Sequence, residues 1–130
     1  MILIDTHIWI WWASELPDLK PRHRELLEAH RSGGLGVSAI SIWEISKKYQ
    51  LGKLGLDRPF DDWLKAALAL PDLRLLELNQ DILVESTRLP DGFRSAPADE
   101  IIVATSRVLN VPLLTADEKL LNYEHFTKLT

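Results

Sequence analysis

The chain has 130 residues, no cysteine and a formal net charge of −4 at pH 7. Its hydrophobic fraction of 46% and charged fraction of 26% are typical of a globular protein, and its length suits a single domain over residues 1–130. The absence of cysteine excludes disulfides, thiolate zinc sites and thiol nucleophiles. The acidic balance argues against a general polyanion-binding surface, but not against a nuclease whose clustered acids hold metal. We find no signal-peptide pattern or transmembrane span and expect a soluble cytoplasmic protein without a membrane partner.

The first element is predicted to be a strand formed by the apolar run Met1–Ile4, which ends at Asp5. A short unbroken apolar run is typical of a strand that is buried on both faces of a parallel sheet. Ligands bind such sheets at the carboxyl ends of the strands, so Asp5 is expected at the mouth of the crevice. The helix predicted next, over residues 6–15, contains the tryptophans at positions 9, 11 and 12. We expect two of them in the core and at least one against another chain.

The rest of the chain alternates between helices and strands. Further strands are predicted over 35–38, 73–78 and 111–115, with a fifth, edge strand over 125–129; helices are predicted over 21–31, from 39 to Gly52, from Pro59 to Pro71, between Asn79 and Pro90, over 98–110 and from 116. This order predicts an α/β fold: a three-layer α/β/α sandwich with a central, mostly parallel sheet of four to five strands and right-handed crossovers.

Four carboxylates follow the predicted strands at the edge where ligands bind: Asp5, Glu44, Asp99 and Asp117. If the strands are neighbours, these side chains converge. Three of them also have an ordinary explanation, because acids are favoured near helix N-termini. Ser41 and Glu44 match a capping box, Asp117 could be an N-cap, and Asp99 could be an acid in a first turn. Asp5 fits such an explanation least well, since capping does not require a carboxylate at the end of a buried strand.

A divalent cation would satisfy these carboxylates together. Buried carboxylates are costly without partners, and no Lys or Arg stands beside Asp5 or Asp99 in the sequence. Hard oxygen ligands without a nearby His–Cys cluster favour Mg²⁺, or Mn²⁺ as its substitute, over zinc. We interpret Asp5 and Asp99 as the principal ligands, with Asp117 and Glu44 completing the site through water or a second metal.

The ordered segments ILIDTHIW, SAISIWEISKK, PADEIIVATS and VPLLTADEKL resemble the PIN-domain ribonucleases, specifically the VapC-type toxins of bacterial toxin–antitoxin pairs. The resemblance extends from Ile2 to about Tyr123. It implies a PIN-like fold and a metal-dependent endoribonuclease that hydrolyses RNA phosphodiester bonds and leaves 5′-phosphate and 3′-hydroxyl ends. It further implies a homodimer and a cognate antitoxin protein that occupies the active-site groove. The residues it implies are catalytic Asp5, Glu44, Asp99 and Asp117, of which Asp5, Asp99 and Asp117 bind metal, and supporting Thr6, Ser41 and Thr115.

One segment departs from the family pattern. Arg94 and Ala96 stand where relatives often have His and Asp. Because Asp99 remains, we expect metal binding to survive, whereas RNA preference near this loop, the RNA cleaved and the number of metals stay open. Lys47, Lys48 and Arg94 are candidates for RNA contact, together with Arg88 and Arg107.

Other interpretations remain open for the basic and aromatic residues. The basic cluster Lys20–Arg24 could bind an acidic partner, and His7 is interpreted as a structural or peripheral histidine. The tryptophan-rich first helix and the region of Trp63 offer apolar area for an antitoxin helix or a second copy.

Three other functions were weighed against the nuclease. The first is a PIN-fold protein that acts mainly as a binding module. The second is an aspartate-nucleophile phosphatase, which usually needs a second Asp where this chain has His7. The third is a receiver-type module, which needs an acceptor Asp after the middle strand, where this chain has Asn79 and Gln80.

Overall fold

The computed structural model describes all 130 residues and contains four strands and seven α-helices. The strands are β1 (Ile2–Ile4), β2 (Leu35–Ser38), β3 (Leu73–Leu76) and β4 (Leu113–Leu114). The helices are α1 (Thr6–Ala13), α2 (Pro21–His30), α3 (Ala39–Gln50), α4 (Phe60–Leu68), α5 (Gln80–Ser86), α6 (Pro97–Leu109) and α7 (Glu118–Leu121). Short 3-10 turns lie at Arg31–Gly33 and Pro90–Gly92. No helix is both long and apolar enough to cross a membrane.

The strands form one parallel sheet in the order β3-β2-β1-β4. Ile2 lies opposite Leu35 on one side of β1, and Leu3 lies opposite Leu113 on the other. The chain therefore builds outward from β1 through β2 to β3, and then returns to place β4 on the opposite side of β1. Because the strand order reverses there, the carboxyl ends of β1 and β4 flank the switch point where such sheets bind ligands.

Helices cover both faces of the sheet, which confirms the predicted three layers. Ile2 and Ile4 of β1 belong to one core cluster together with Trp9 of α1, whereas Leu3 points into a second cluster with Ile102 of α6. Alternate residues of a strand face opposite sides of the sheet, and helices cover both sides, so all three β1 side chains are buried. The prediction of a first strand buried on both faces is confirmed.

The ends of the sheet differ from the prediction. β3 stops at Leu76 and β4 contains two residues. The fifth strand predicted over 125–129 does not form, and only an isolated parallel bridge joins Leu113 to Lys128. Leu113 donates its N–H to the Thr127 carbonyl (2.9 Å) and accepts from the Leu129 N–H (3.0 Å). Because β4 is so short, it offers the tail too few backbone groups for a full ladder.

The tryptophans are distributed differently from the expectation. Of the three in α1, only Trp9 is fully buried, and its indole N–H donates to the Ala67 carbonyl (3.2 Å). Trp11 and Trp12 are half-buried, so the prediction of two core tryptophans there is wrong. The second core indole is Trp63 of α4, which is 2% exposed and therefore offers no apolar surface to a partner.

Candidate metal centre

Asp5 follows the last residue of β1 and precedes α1. Its Oδ1 accepts the Thr6 backbone N–H (2.8 Å), which makes Asp5 the N-cap of α1. Its Oδ2 accepts the Thr115 hydroxyl (2.7 Å), and the residue is 2% exposed. Helix capping therefore does contribute to the presence of Asp at position 5, contrary to the expectation, although a serine or asparagine could also cap α1.

No lysine or arginine forms an ion pair with the Asp5 carboxylate. Burial raises the pKa of Asp5, while nearby His7 and the hydrogen bonds from Thr115 and Thr6 partly oppose that rise. The His7 Nδ1 lies 3.5 Å from the Asp5 Oδ2, and it is the only basic group within ion-pair distance. A carboxylate that is buried with so little positive charge favours a cation in its vicinity.

Thr6 and Ser41 join helices α1 and α3 beside Asp5. Their buried hydroxyls are hydrogen-bonded at 2.7 Å. The N-cap of α3 is Ser38, whose hydroxyl accepts the Ile40 N–H (3.2 Å), so the capping-box explanation of Ser41 and Glu44 is wrong. The Glu44 side chain is instead 16% exposed and lies 3.6 Å from the Lys48 ammonium.

Asp99 lies in the first turn of α6. The Ser95 hydroxyl donates to the Asp99 Oδ2 (2.6 Å), a contact that no pattern in the sequence predicts. Burial raises the pKa of Asp99, and the negative charges of Asp5, Glu44 and Asp117 raise it further against the Ser95 hydrogen bond. Asp99 therefore lies within electrostatic range of the other three carboxylates.

Asp117 lies two residues after Thr115 and begins α7. Its Oδ1 accepts the Lys119 N–H (2.9 Å), which confirms the alternative that it is an N-cap. Its own N–H donates to the Thr115 hydroxyl oxygen (3.0 Å), the same hydroxyl that donates to Asp5. Thr115 thereby connects the Asp5 carboxylate to the backbone of Asp117.

The donor chemistry of this centre fits Mg²⁺ or Mn²⁺. Its polar side chains are carboxylates and hydroxyls, which are hard oxygen donors, and Asp5 is buried without a strong basic partner. As the side chains are oriented here, no three acidic or imidazole groups lie close enough to ligate one ion together. Glu44, Asp99 and Asp117 are only partly buried, and they would have to reorient from their contacts with Lys48, Ser95 and the Lys119 N–H to ligate one ion with Asp5.

The candidate RNA-contact residues have different surroundings. Lys47 is exposed and donates to the Gln50 side chain (3.0 Å), whereas Lys48 faces Glu44. Arg94 is exposed and forms no hydrogen bond or ion pair. Arg107 is engaged elsewhere, because its guanidinium pairs with Glu85 at 2.9 Å.

Two residues beside the centre were not predicted as part of it. Trp43, which precedes Glu44, is 54% exposed. Its position next to an acidic residue was the only sign of this exposure in the sequence. His7 contacts both Asp5 and the segment after β4, as described below.

A parallel α/β/α sheet with converging acids at its switch point places this chain in a defined class. The model of the PIN-domain family matches residues 2–125, and the chain belongs to that family. It is 27% identical over 124 residues to ribonuclease VapC22 of Mycobacterium tuberculosis, covering 95% of this chain and 92% of that protein.

Solved structures share the fold. The VapBC2 complex of Rickettsia felis, bound to a DNA fragment from its promoter, matches with a TM-score of 0.74 at 18% identity, covering 99% of this chain and 98% of that chain. A toxin–antitoxin complex from Klebsiella pneumoniae gives 0.63 at 20% identity and covers 94% and 92%. FitAcB from Neisseria gonorrhoeae gives 0.54 at 22% identity and covers 90% and 88%.

Proposed function

We propose that this protein is an Mg²⁺- or Mn²⁺-dependent endoribonuclease and the toxin of a toxin–antitoxin pair. The observation that carries the proposal is Asp5: a carboxylate that is buried at the switch point without a lysine or arginine and lies within electrostatic range of Glu44 and Asp99. Asp117 in turn lies within electrostatic range of Asp99. The similarity to a ribonuclease, VapC22, supports RNA as the substrate.

Each acidic residue has a proposed role. Asp5 and Asp99 hold the ion, and Asp117 joins them as the third metal ligand. Glu44, which forms no hydrogen bond with Thr115 or with the other three acids, orients the attacking water. A bound divalent ion polarises the scissile phosphate and lowers the pKa of a bound water. The protein itself contributes the fixed, buried Asp5 and the hydroxyls of Thr6, Ser41 and Thr115 that hold the surrounding backbone.

RNA must approach this acidic centre across a surface that offers positive charge. Lys47 and Lys48 lie one turn beyond Glu44 on α3, and Arg94 lies on the loop before Asp99. We propose that these three residues contact the RNA backbone, because they are exposed cations that follow Glu44 on α3 or precede Asp99 in the chain. Arg94 is the freest of them, since its guanidinium has no partner in the protein.

The phosphatase alternative is disfavoured by His7. That chemistry usually needs a second Asp at this position, and the imidazole that stands there is held by the Ala116 N–H, which donates to its Nε2 (3.0 Å). The receiver alternative is disfavoured because Asn79 caps α5 after the edge strand β3, away from Asp5. A protein that acts mainly by binding remains the second candidate, and metal binding separates it from the nuclease.

The test is a calorimetric titration of Mn²⁺ and Mg²⁺, combined with incubation of the same samples with structured RNA. Wild type is compared with Asp5→Asn and Asp99→Asn. Asp62→Asn is the matched control, because Asp62 is the third residue of α4 as Asp99 is of α6, so both acids experience a helix N-terminus. We expect binding and metal-dependent cleavage in wild type and the control, and loss of both in the two centre variants. A wild type that binds no metal would refute the proposal.

The proposed partners are a cognate antitoxin and a second copy of the chain. The structural relatives include toxin–antitoxin complexes, and α3 with the residue after it presents exposed apolar side chains at Trp43, Tyr49 and Leu51. Of these, Trp43 directly precedes Glu44 in α3, and an exposed indole there suits contact with an apolar partner segment. We further propose that the protein is cytoplasmic and that it forms a homodimer. Light scattering of the purified protein would test the dimer.

A further inference from the structure

The imidazole of His7 lies between the end of β1 and the segment that follows β4. Its Nε2 accepts the backbone N–H of Ala116 (3.0 Å). Its Nδ1 lies 3.5 Å from the Asp5 Oδ2, and its ring packs against Trp11 with ring centroids 4.9 Å apart. One ring thus contacts residues that are more than a hundred positions apart in the sequence.

The two contacts of His7 differ in strength. A ring nitrogen that accepts an N–H carries no proton, so the neutral ring has its proton on Nδ1, which faces Asp5. A separation of 3.5 Å is longer than an ordinary N–H···O hydrogen bond. The contact with Asp5 is therefore electrostatic, and the directional bond of His7 is the one to Ala116.

Ala116 lies between Thr115 and Asp117, just after the carboxyl end of β4. Thr115 donates to Asp5, and Asp117 carries the fourth carboxylate. The bond from the Asp117 N–H to the Thr115 hydroxyl lies within the segment itself, so it shapes the turn. The bond from Ala116 to His7 fastens that turn to α1, the helix that Asp5 caps.

We propose that His7 is a positioning residue that holds the Ala116 amide and so fixes the backbone of Asp117 relative to Asp5. The inference rests on the proposed function, because it concerns a proposed metal ligand. His7 touches neither substrate nor ion in this role. Its effect is on the preorganisation of the site, as for other groups that orient metal ligands.

The test separates the two nitrogens of the ring from its packing. His7→Gln places an amide oxygen close to the position of Nε2 and can still accept from Ala116. His7→Asn places its amide near Nδ1, and His7→Phe keeps an aromatic ring against Trp11 without either nitrogen. His23→Gln is the control, because His23 also packs near Trp11, at 6.4 Å between centroids, but has no bond to the Ala116 segment.

We expect Mn²⁺ affinity, measured by calorimetry, to be near the wild-type value in His7→Gln and His23→Gln. In His7→Asn and His7→Phe it should fall by about tenfold or more, the usual cost of losing an orienting group. Hydrogen exchange of the Ala116 amide gives a readout that needs no metal: it should be slow in wild type and His7→Gln and faster in the other two. Melting in EDTA verifies that all variants are folded.

Three results would overturn the inference. Equal Mn²⁺ affinity in wild type and His7→Phe would show that the ring nitrogens are dispensable. Rescue by His7→Asn but not by His7→Gln would assign the effect to Asp5 instead of Ala116. Fast Ala116 exchange in wild type would mean that the bond is not maintained. Failure of wild type to bind Mn²⁺ refutes the proposed function itself, whereas normal wild-type binding with an unaffected His7→Phe refutes only the role of His7.

Discussion

At the scale of single residues, Asp5 carries a free-energy cost of folding, because its carboxylate is buried. Burial raises its pKa, so the ionised side chain destabilises the folded protein when no cation is bound. Thr6 and Thr115 each donate one hydrogen bond, which offsets part of that cost.

We predict that Asp5→Asn makes the metal-free protein more stable at neutral pH. A carboxyl whose folded pKa is raised binds more protons in the folded state, so wild type loses stability as pH rises from the ordinary value of 3.8 through the raised one. The variant does not pay this cost, so the difference in Tm in EDTA should grow with pH over that window. A gain of about 3 °C would correspond to roughly 1 kcal/mol for a domain of this size.

The control for this prediction is the same comparison below about pH 3.5, where the carboxyl is protonated in both states and the difference should shrink. A variant that melts lower than wild type at every pH would contradict it.

At the scale of elements, the close approach of β2 to its neighbours depends on Gly36. A Cβ on Gly36 would lie 2.9 Å from the Leu76 Cδ1 and 3.2 Å from the Ile2 carbonyl oxygen. Gly36→Ala should therefore lower the free energy of unfolding by about 1–3 kcal/mol, as for other overpacked core positions. Denaturant unfolding measures the change. Gly55→Ala is the control, because nothing lies within 4 Å of its added Cβ, and an equal loss in both variants would contradict the prediction.

The C-terminal segment depends on one arginine of α6. Arg107 pairs with Glu85 of α5 and donates to the His125 carbonyl, which replaces the ladder that a fifth strand would have provided. We expect Arg107→Leu to cost about 1 kcal/mol, because the pair is partly exposed, and to speed amide exchange at Leu129. Arg88→Leu removes an exposed arginine without a partner and should change neither quantity. Unchanged exchange at Leu129 in Arg107→Leu would show that the tail is held by other contacts.

How far the sequence predicted these elements depends on how local their causes are. The buried β1, the Asn79 cap of α5 and the alternation of helices with strands follow from short-range patterns, and they are confirmed. The failed fifth strand and the partial exposure of Trp11 and Trp12 depend on contacts with residues distant in sequence. The carboxylate positions were predicted from strand ends, but their hydroxyl partners were not all predictable: Ser95 and the His7–Ala116 bond are set by tertiary placement.

At the scale of the whole molecule, the net charge of −4 includes the acids of the centre. A bound cation would offset the repulsion between these acids, so metal binding and the stability of the fold are linked. We predict that Mn²⁺ raises the Tm of wild type, by an amount equivalent to about 2.7 kcal/mol when its free concentration is 100 times Kd. The carboxyls must lose their protons to bind, so affinity should increase as pH rises above 3.8 through the raised pKa of Asp99. Thermal melting with and without Mn²⁺ measures both effects.

The matched pair Asp99→Asn and Asp62→Asn tests this linkage. The first should lose the Mn²⁺-dependent rise in Tm and the second should keep it. A rise of the same size in both would assign the effect to nonspecific ion binding at the surface.

The hydrogen bond between Asp5 and Thr115 spans 110 positions of the chain, and this separation determines when the centre can exist during synthesis. Asp5 precedes β4, Thr115 and Asp117 by more than a hundred residues. A nascent chain must therefore release this whole span from the ribosome before the acids can meet, and contacts between residues so distant in sequence are slow to form. For a nuclease made beside messenger, transfer and ribosomal RNA, a chain whose translation stops before β4 lacks Thr115 and Asp117, and with them two groups of the proposed centre.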